Sequence, residues 1–91
     1  MRLTLVWLDE AESSLATAFM ASKQHGLANE FSLAIHRGEQ EIRTAPQTAG
    51  ESRGGRQRFL IARPAGLLYE WHEPEGVVIV LMAHFIPQRR S

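Results

Sequence analysis

QRFLIARPAGLLYEWHEPEGVVIVLMAHF, residues 57–85, decides the fold. Three apolar runs are separated by two turn signals, Pro64-Ala65-Gly66 and Glu73-Pro74-Glu75-Gly76. Runs of this length, bounded by Pro and Gly, read as strands. Residues 57–63 form the first and residues 67–72 the second. In the second, Leu67, Tyr69 and Trp71 share one face, and Leu68, Glu70 and His72 share the other, because successive side chains alternate. Residues 77–85 are apolar on both faces, which places them inside a sheet. Short turns between consecutive strands predict an antiparallel meander. Pro87 closes the third run, and residues 88–91 are a polar, basic tail.

Working outward, residues 2–8 read as a further strand, covered on both faces and stopped by Asp9 and Glu10. Asp9 and Glu12 have the spacing of a capping box. Ala11, Leu15, Ala18, Phe19 and Ser22 then recur at helical spacing, so a first helix is expected over residues 10–24. His25-Gly26 breaks it. Leu27, Phe31, Ala34, Ile35, Gly38 and Ile42 form the stripe of a second helix over residues 27–44, ending before Pro46. The short gap predicts an antiparallel helical hairpin with Gly26 in its turn. Residues 45–55, small, polar and punctuated by Gly and Pro, read as a loop. The expected architecture is α+β, in the order β-α-α-β-β-β. A helical hairpin covers one face of a small, mostly antiparallel sheet and leaves the other face open for a partner or substrate.

Ninety-one residues are enough for one domain, residues 1–91. Hydrophobic residues make up 44% and the formal net charge is zero, which excludes the disordered class and a chain that is basic throughout. There is no cysteine, hence no disulfide or thiolate metal site. His25, His36 and His72 have no ligand partners at metal-binding spacing, so neither metal nor cofactor is expected. No apolar run is long enough for a membrane helix or a signal peptide, and a soluble cytoplasmic protein is expected. The zero hides an asymmetry. Residues 1–52 carry four basic against seven acidic side chains, −3, and residues 53–91 carry six against three, +3. Arg53, Arg56, Arg58 and Arg63 lie in a stretch with no acid, a candidate anion-facing patch, and Arg89 and Arg90 follow in the tail.

Several segments match a known pattern in order and spacing. These are Leu5-Val6-Trp7-Leu8-Asp9-Glu10-Ala11 with Leu15, Gly26-Leu27-Ala28-Asn29-Glu30-Phe31 with Ile35 and Ile42, and Thr44-Ala45-Pro46 followed by Gly50. They continue with Leu67-Leu68-Tyr69-Glu70-Trp71 and a last strand ending at His84. Over nearly its whole length the chain resembles the RelE/ParE superfamily, toxins of bacterial type II toxin–antitoxin systems of the plasmid stabilisation type. The resemblance implies a growth-inhibiting toxin neutralised by a cognate antitoxin, touching operator DNA only through the antitoxin complex. It also implies one of two targets. RelE-like members cut mRNA in the ribosome without a metal, and ParE-like members block DNA gyrase.

RNA cleavage by attack of a 2′-hydroxyl needs a base, an acid and cations to hold the phosphorane. Arg suits the last role because its fork meets phosphate oxygens bidentately. In that reading Arg56 and Arg58, two apart on one strand face, hold phosphate, and His84 transfers a proton. Arg53, Arg63, Arg89 and Arg90 supply further binding charge, while Tyr69 belongs to the core. RelE-like nucleases carry an Arg immediately before the Leu-Val-Tyr segment, and here that position is Gly66. Neutral charge and the missing Arg favour ParE-like action on a protein target such as gyrase. The alternatives are a RelE-like mRNA endoribonuclease and a non-toxic member that only binds a protein partner. Leu8, Phe19, Met20 and Met82 are candidates to line the grooves an antitoxin helix would fill.

Overall fold

The computed structural model describes residues 3–87. Seven elements follow in chain order: β1 (Thr4–Trp7), α1 (Asp9–Gln24), α2 (Ala28–Thr44), β2 (Glu51–Gly54), β3 (Gln57–Ala62), β4 (Ala65–His72) and β5 (Val77–Phe85). The strands form one sheet in the order β1-β5-β4-β3-β2. β1 is parallel to β5, and every other neighbouring pair is antiparallel. This is the expected α+β architecture, with β5 internal as its two apolar faces require.

The core lies between the helical hairpin and one sheet face. Ala11 and Ala18 of α1 and Phe31, Ala34, Ile35 and Ile42 of α2 pack with Leu60, Leu67, Tyr69, Val78, Val80 and Ala83. Small residues on the helices allow a close approach. A Cβ at Gly38 would stand only 3.0 Å from Leu67 Cδ1, so α2 rests on β4 almost by its backbone. The Trp7 indole N–H donates to Glu39 Oε2 at 2.7 Å and ties β1 to α2. On the other sheet face Val6, Ile61 and Met82 are exposed, as are Leu8, Phe19 and Met20 elsewhere on the surface.

Three local expectations are corrected. Asp9 does not cap α1. Leu8 occupies that position with extended backbone (φ −68, ψ 157) and no side-chain cap. The Leu8 N–H still bonds the Val80 carbonyl, so strand geometry persists to Leu8 and Asp9 becomes the first helical residue. Its charge, with those of Glu10 and Glu12, still suits the helix dipole. Second, residues 51–54 of the expected loop form the edge strand β2. All four are exposed, so no apolar pattern announces the strand, and backbone pairing to β3 defines it. Third, the turn after β3 is shorter than expected. Arg63 and Pro64, joined by a cis peptide bond, make it alone, while Ala65 and Gly66 already pair with Ala62 and Ile61.

β5 also carries an irregularity that sets which way its side chains face. Leu68 pairs with Met82 but Tyr69 pairs with Val80, so Leu81 is an extra residue in β5. Such a bulge flips the alternation of side chains. Val78 and Val80 face the helices before it and Ala83 after it, which turns Met82 and His84 outward.

Candidate functional site

Of the residues expected to form one phosphate site, Arg56 and Arg58 line one compartment beside Trp71, and His84 lies apart from them. Arg56 lies outside β3, in the turn that follows β2, so the rule placing i and i+2 on one strand face does not apply to it. Its carbonyl accepts the Trp71 N–H at 3.1 Å. Its Nη1 lies 2.8 Å from His72 Nδ1, and His72 Nε2 lies 2.9 Å from Glu70 Oε1. A guanidinium only donates, so Nδ1 accepts and the ring proton sits on Nε2, donated to Glu70. A three-residue chain, Arg56 to His72 to Glu70, thus closes one end of β4.

Arg58 points to the helix side of the sheet, opposite Tyr69. Its Nη2 donates to the Gly50 carbonyl. The Tyr69 hydroxyl donates to the Pro46 carbonyl at 2.8 Å and accepts the Gly50 N–H at 3.2 Å. These groups hold the segment after α2 against the sheet. Burial pushes the Tyr69 pKa up, opposed by the Gly50 N–H and the Arg58 guanidinium. Tyr69 is fully buried, as expected of a core residue. The Nε–H of Arg58 and the indole N–H of Trp71 are buried without a partner. Each such orphan costs about 1–3 kcal/mol.

His84 sits opposite Gly66, at the other end of β4 from His72. Six residues of strand separate the two, roughly 20 Å. No single substrate phosphate reaches both Arg56 and His84. The His84 ring stands edge-on to Phe59, with centroids 5.8 Å apart. The Arg53 guanidinium lies 5.3 Å from the centre of the same Phe59 ring and 3.6 Å from Glu51. Phe59 also lies over Gly66. A Cβ there would come within 2.6 Å of Phe59 Cζ and 3.0 Å of Ile86 Cδ1. Any side chain at position 66 therefore requires the Phe59 ring to move. Arg63 is exposed in the β3–β4 turn, and its carbonyl accepts Arg37 Nη2 at 3.3 Å. Arg89 and Arg90 lie outside the described residues.

Glu70, Trp71 and His72 were missed as site residues. The signal was present, since alternation puts Glu70 and His72 side by side on one face. A third feature is a groove of about 420 Å³ between α1 and β5, lined by Ser14, Ala18, Ala21, Met82 and Phe85 among others. β1 stops pairing at Val80, and the Ser14 hydroxyl takes over as acceptor for the Ala83 N–H at 2.9 Å. Among the described residues no three His, Cys, Asp or Glu side chains are grouped to hold a metal ion, and no helix is long and apolar enough to cross a membrane.

No protein-family model matches the sequence, and no curated protein matches it. Solved structures do. A chain of the chromosomal ParDE TA system from P. aeruginosa superposes with a TM-score of 0.71 at 15% identity, over 93% of this chain and 97% of that one. A chain of the RelBE2 toxin–antitoxin complex from Mycobacterium tuberculosis gives 0.64 at 12% identity, over 93% and 99%. The fold implied by the sequence resemblance is therefore the fold the chain adopts, shared over 93% of its length with components of both systems.

Proposed function

We propose that the chain is the toxin of a type II toxin–antitoxin module in the cytoplasm, neutralised by a cognate antitoxin, and that it acts ParE-like by gripping a protein target such as DNA gyrase. The shared fold supports the toxin role. The choice of target rests on the open sheet face at Gly66. Where RelE-like nucleases carry a phosphate-holding Arg, this chain has the Phe59 ring, with Ile86 and His84 beside it. Val6, Ile61 and Met82 extend the same face with exposed apolar surface. Apolar surface framed by a few cations fits a protein better than a phosphate track, whose affinity grows with each phosphate neutralised.

A second reading, the ribosome-dependent mRNA endoribonuclease, draws on the Arg56–His72–Glu70 chain. A carboxylate there fixes an imidazole beside a guanidinium, and His72 rather than His84 is then the proton-transfer group. Induced expression without the antitoxin separates the readings. Growth arrest with loss of supercoiling activity is expected. Arrest with mRNA cut on ribosomes, abolished by His72→Ala, establishes the second reading instead. Normal growth at good expression refutes both and leaves a partner-binding protein without toxicity.

A further inference from the structure

We propose that the cleft around Trp71 binds a protein partner through an acidic residue lying next to an aliphatic one in the partner's chain. Two compartments flank the Trp71 ring and share Gln47, Trp71 and Glu73. One, of about 250 Å³, is lined by Arg56 and Arg58. The other, of about 310 Å³, is lined by Leu3, Arg43 and Pro46. Besides Gln47 and the Glu73 carboxylate, the polar side chains lining the first compartment are donors. The Arg58 Nε–H and the Trp71 indole N–H have no acceptor, and Arg56 keeps donors beyond the one given to His72. An anionic oxygen is what satisfies such a set. The second compartment offers Leu3, Pro46 and the flat Trp71 ring to an aliphatic side chain, with Arg43 at its margin. A carboxylate beside a Leu-like side chain fills both.

A phosphodiester fits less well. The Glu73 carboxylate stands in both compartments and opposes a multiply charged strand, and the apolar half has nothing to offer phosphate. The two orphan N–H groups are shielded from solvent in the free chain, so the ligand oxygen reaches them only as the Trp71 side chain or the segment after α2 shifts. Trp71 shares the helix side of β4 with Leu67 and Tyr69, away from the open face through which the target reading operates. The two proposals therefore stand or fall separately.

The indole N–H of Trp71 is a direct reporter. The chain has two tryptophans, and Trp7, bonded to Glu39, serves as internal reference. The ¹⁵N-labelled protein is titrated with N-acetyl-Glu-Leu amide, with N-acetyl-Gln-Leu amide and with inorganic phosphate. The acidic peptide is expected to move the Trp71 indole resonance saturably and leave Trp7 in place, with the Gln peptide about tenfold weaker, the scale of a charge-assisted hydrogen bond. Arg56→Gln should weaken binding by a similar factor while the Trp7 resonance stays put. Absence of a saturable response at millimolar peptide overturns the site. Equal response to the Gln peptide overturns the carboxylate, and tighter binding of phosphate overturns the protein partner in favour of a phosphate ligand.

Discussion

Replacing Tyr69 by Phe removes one oxygen from a ring with no exposed surface. That oxygen donates to the Pro46 carbonyl at 2.8 Å and accepts the Gly50 N–H at 3.2 Å, so it pins both ends of the segment between α2 and β2. Arg58 adds a third tether at the Gly50 carbonyl. Packing of the ring is unchanged in Tyr69→Phe, and the loss is therefore polar. A neutral hydrogen bond is worth roughly 0.5–1.5 kcal/mol, and a buried group left unpaired adds its desolvation penalty, giving about 2–3 kcal/mol in all. For a domain of this size the same loss lowers Tm by roughly 10–20 °C. Urea unfolding reads it as a lower midpoint at constant m. Arg58→Met loosens the same segment, so the double variant should lose less than the sum of the singles. If Tyr69→Phe falls within about 0.5 kcal/mol of the parent, the ordinary range for an uninvolved site, or if the two changes add, the segment is not held in this way.

Tyr69 is the one tyrosine, so phenolate absorbance reports it alone. Burial raises its pKa above 10.0, and the unfolded phenol ionises first. The stability linked to it is present below pH 10.0 and is lost as pH rises through the folded value; a native titration at or below that of the denatured chain refutes the burial account. Gly66→Arg should destabilise by about 1–3 kcal/mol because its Cβ meets Phe59 at 2.6 Å, and adding Phe59→Ala should return part of it. A Gly66→Arg chain as stable as the parent in urea removes that explanation. Ser14→Ala should cost about 1 kcal/mol and speed amide exchange at Ala83, whose N–H loses its acceptor at 2.9 Å; unchanged exchange there contradicts the role given to Ser14.

Much of the fold was legible because its signals are periodic. The stripe Phe31, Ala34, Ile35, Gly38 and Ile42 is the buried face of α2, and the alternation Leu67, Tyr69, Trp71 is the helix side of β4. What was not legible depends on partners distant in sequence. β2 is exposed at every position and exists because β3 offers it a backbone to pair with. The bulge at Leu81 leaves no mark in an unbroken apolar run, yet it decides that Met82 and His84 face outward. The site was the least legible part. Arg56 and Arg58 are two apart, but one sits in a turn and reaches His72 while the other enters a strand and reaches Gly50. Only the paired register of β3 and β4 brings Glu70, His72 and Arg56 together, and only the path of the segment after α2 lays it over Arg58.

That dispersal bears on what the chain is built to recognise. In sequence, four arginines between residues 53 and 63 look like one patch. In the fold they enter four settings: Arg53 lies over Phe59, Arg56 donates to His72, Arg58 holds Gly50, and Arg63 occupies a tight turn. Arg58 gives one N–H to the Gly50 carbonyl and lines the Trp71 compartment with Arg56. Arg53 and Arg56 each sit beside a surface of mixed character, aromatic in one case and carboxylate-balanced in the other. A polyanion rewards cations that act together along a track, whereas a folded protein rewards separate cations each set next to its own apolar contact. The distribution matches the second demand. It also separates the open face centred on Phe59 from the cleft centred on Trp71, so the proposed target contact and the proposed acidic-segment contact concern different surfaces of the chain.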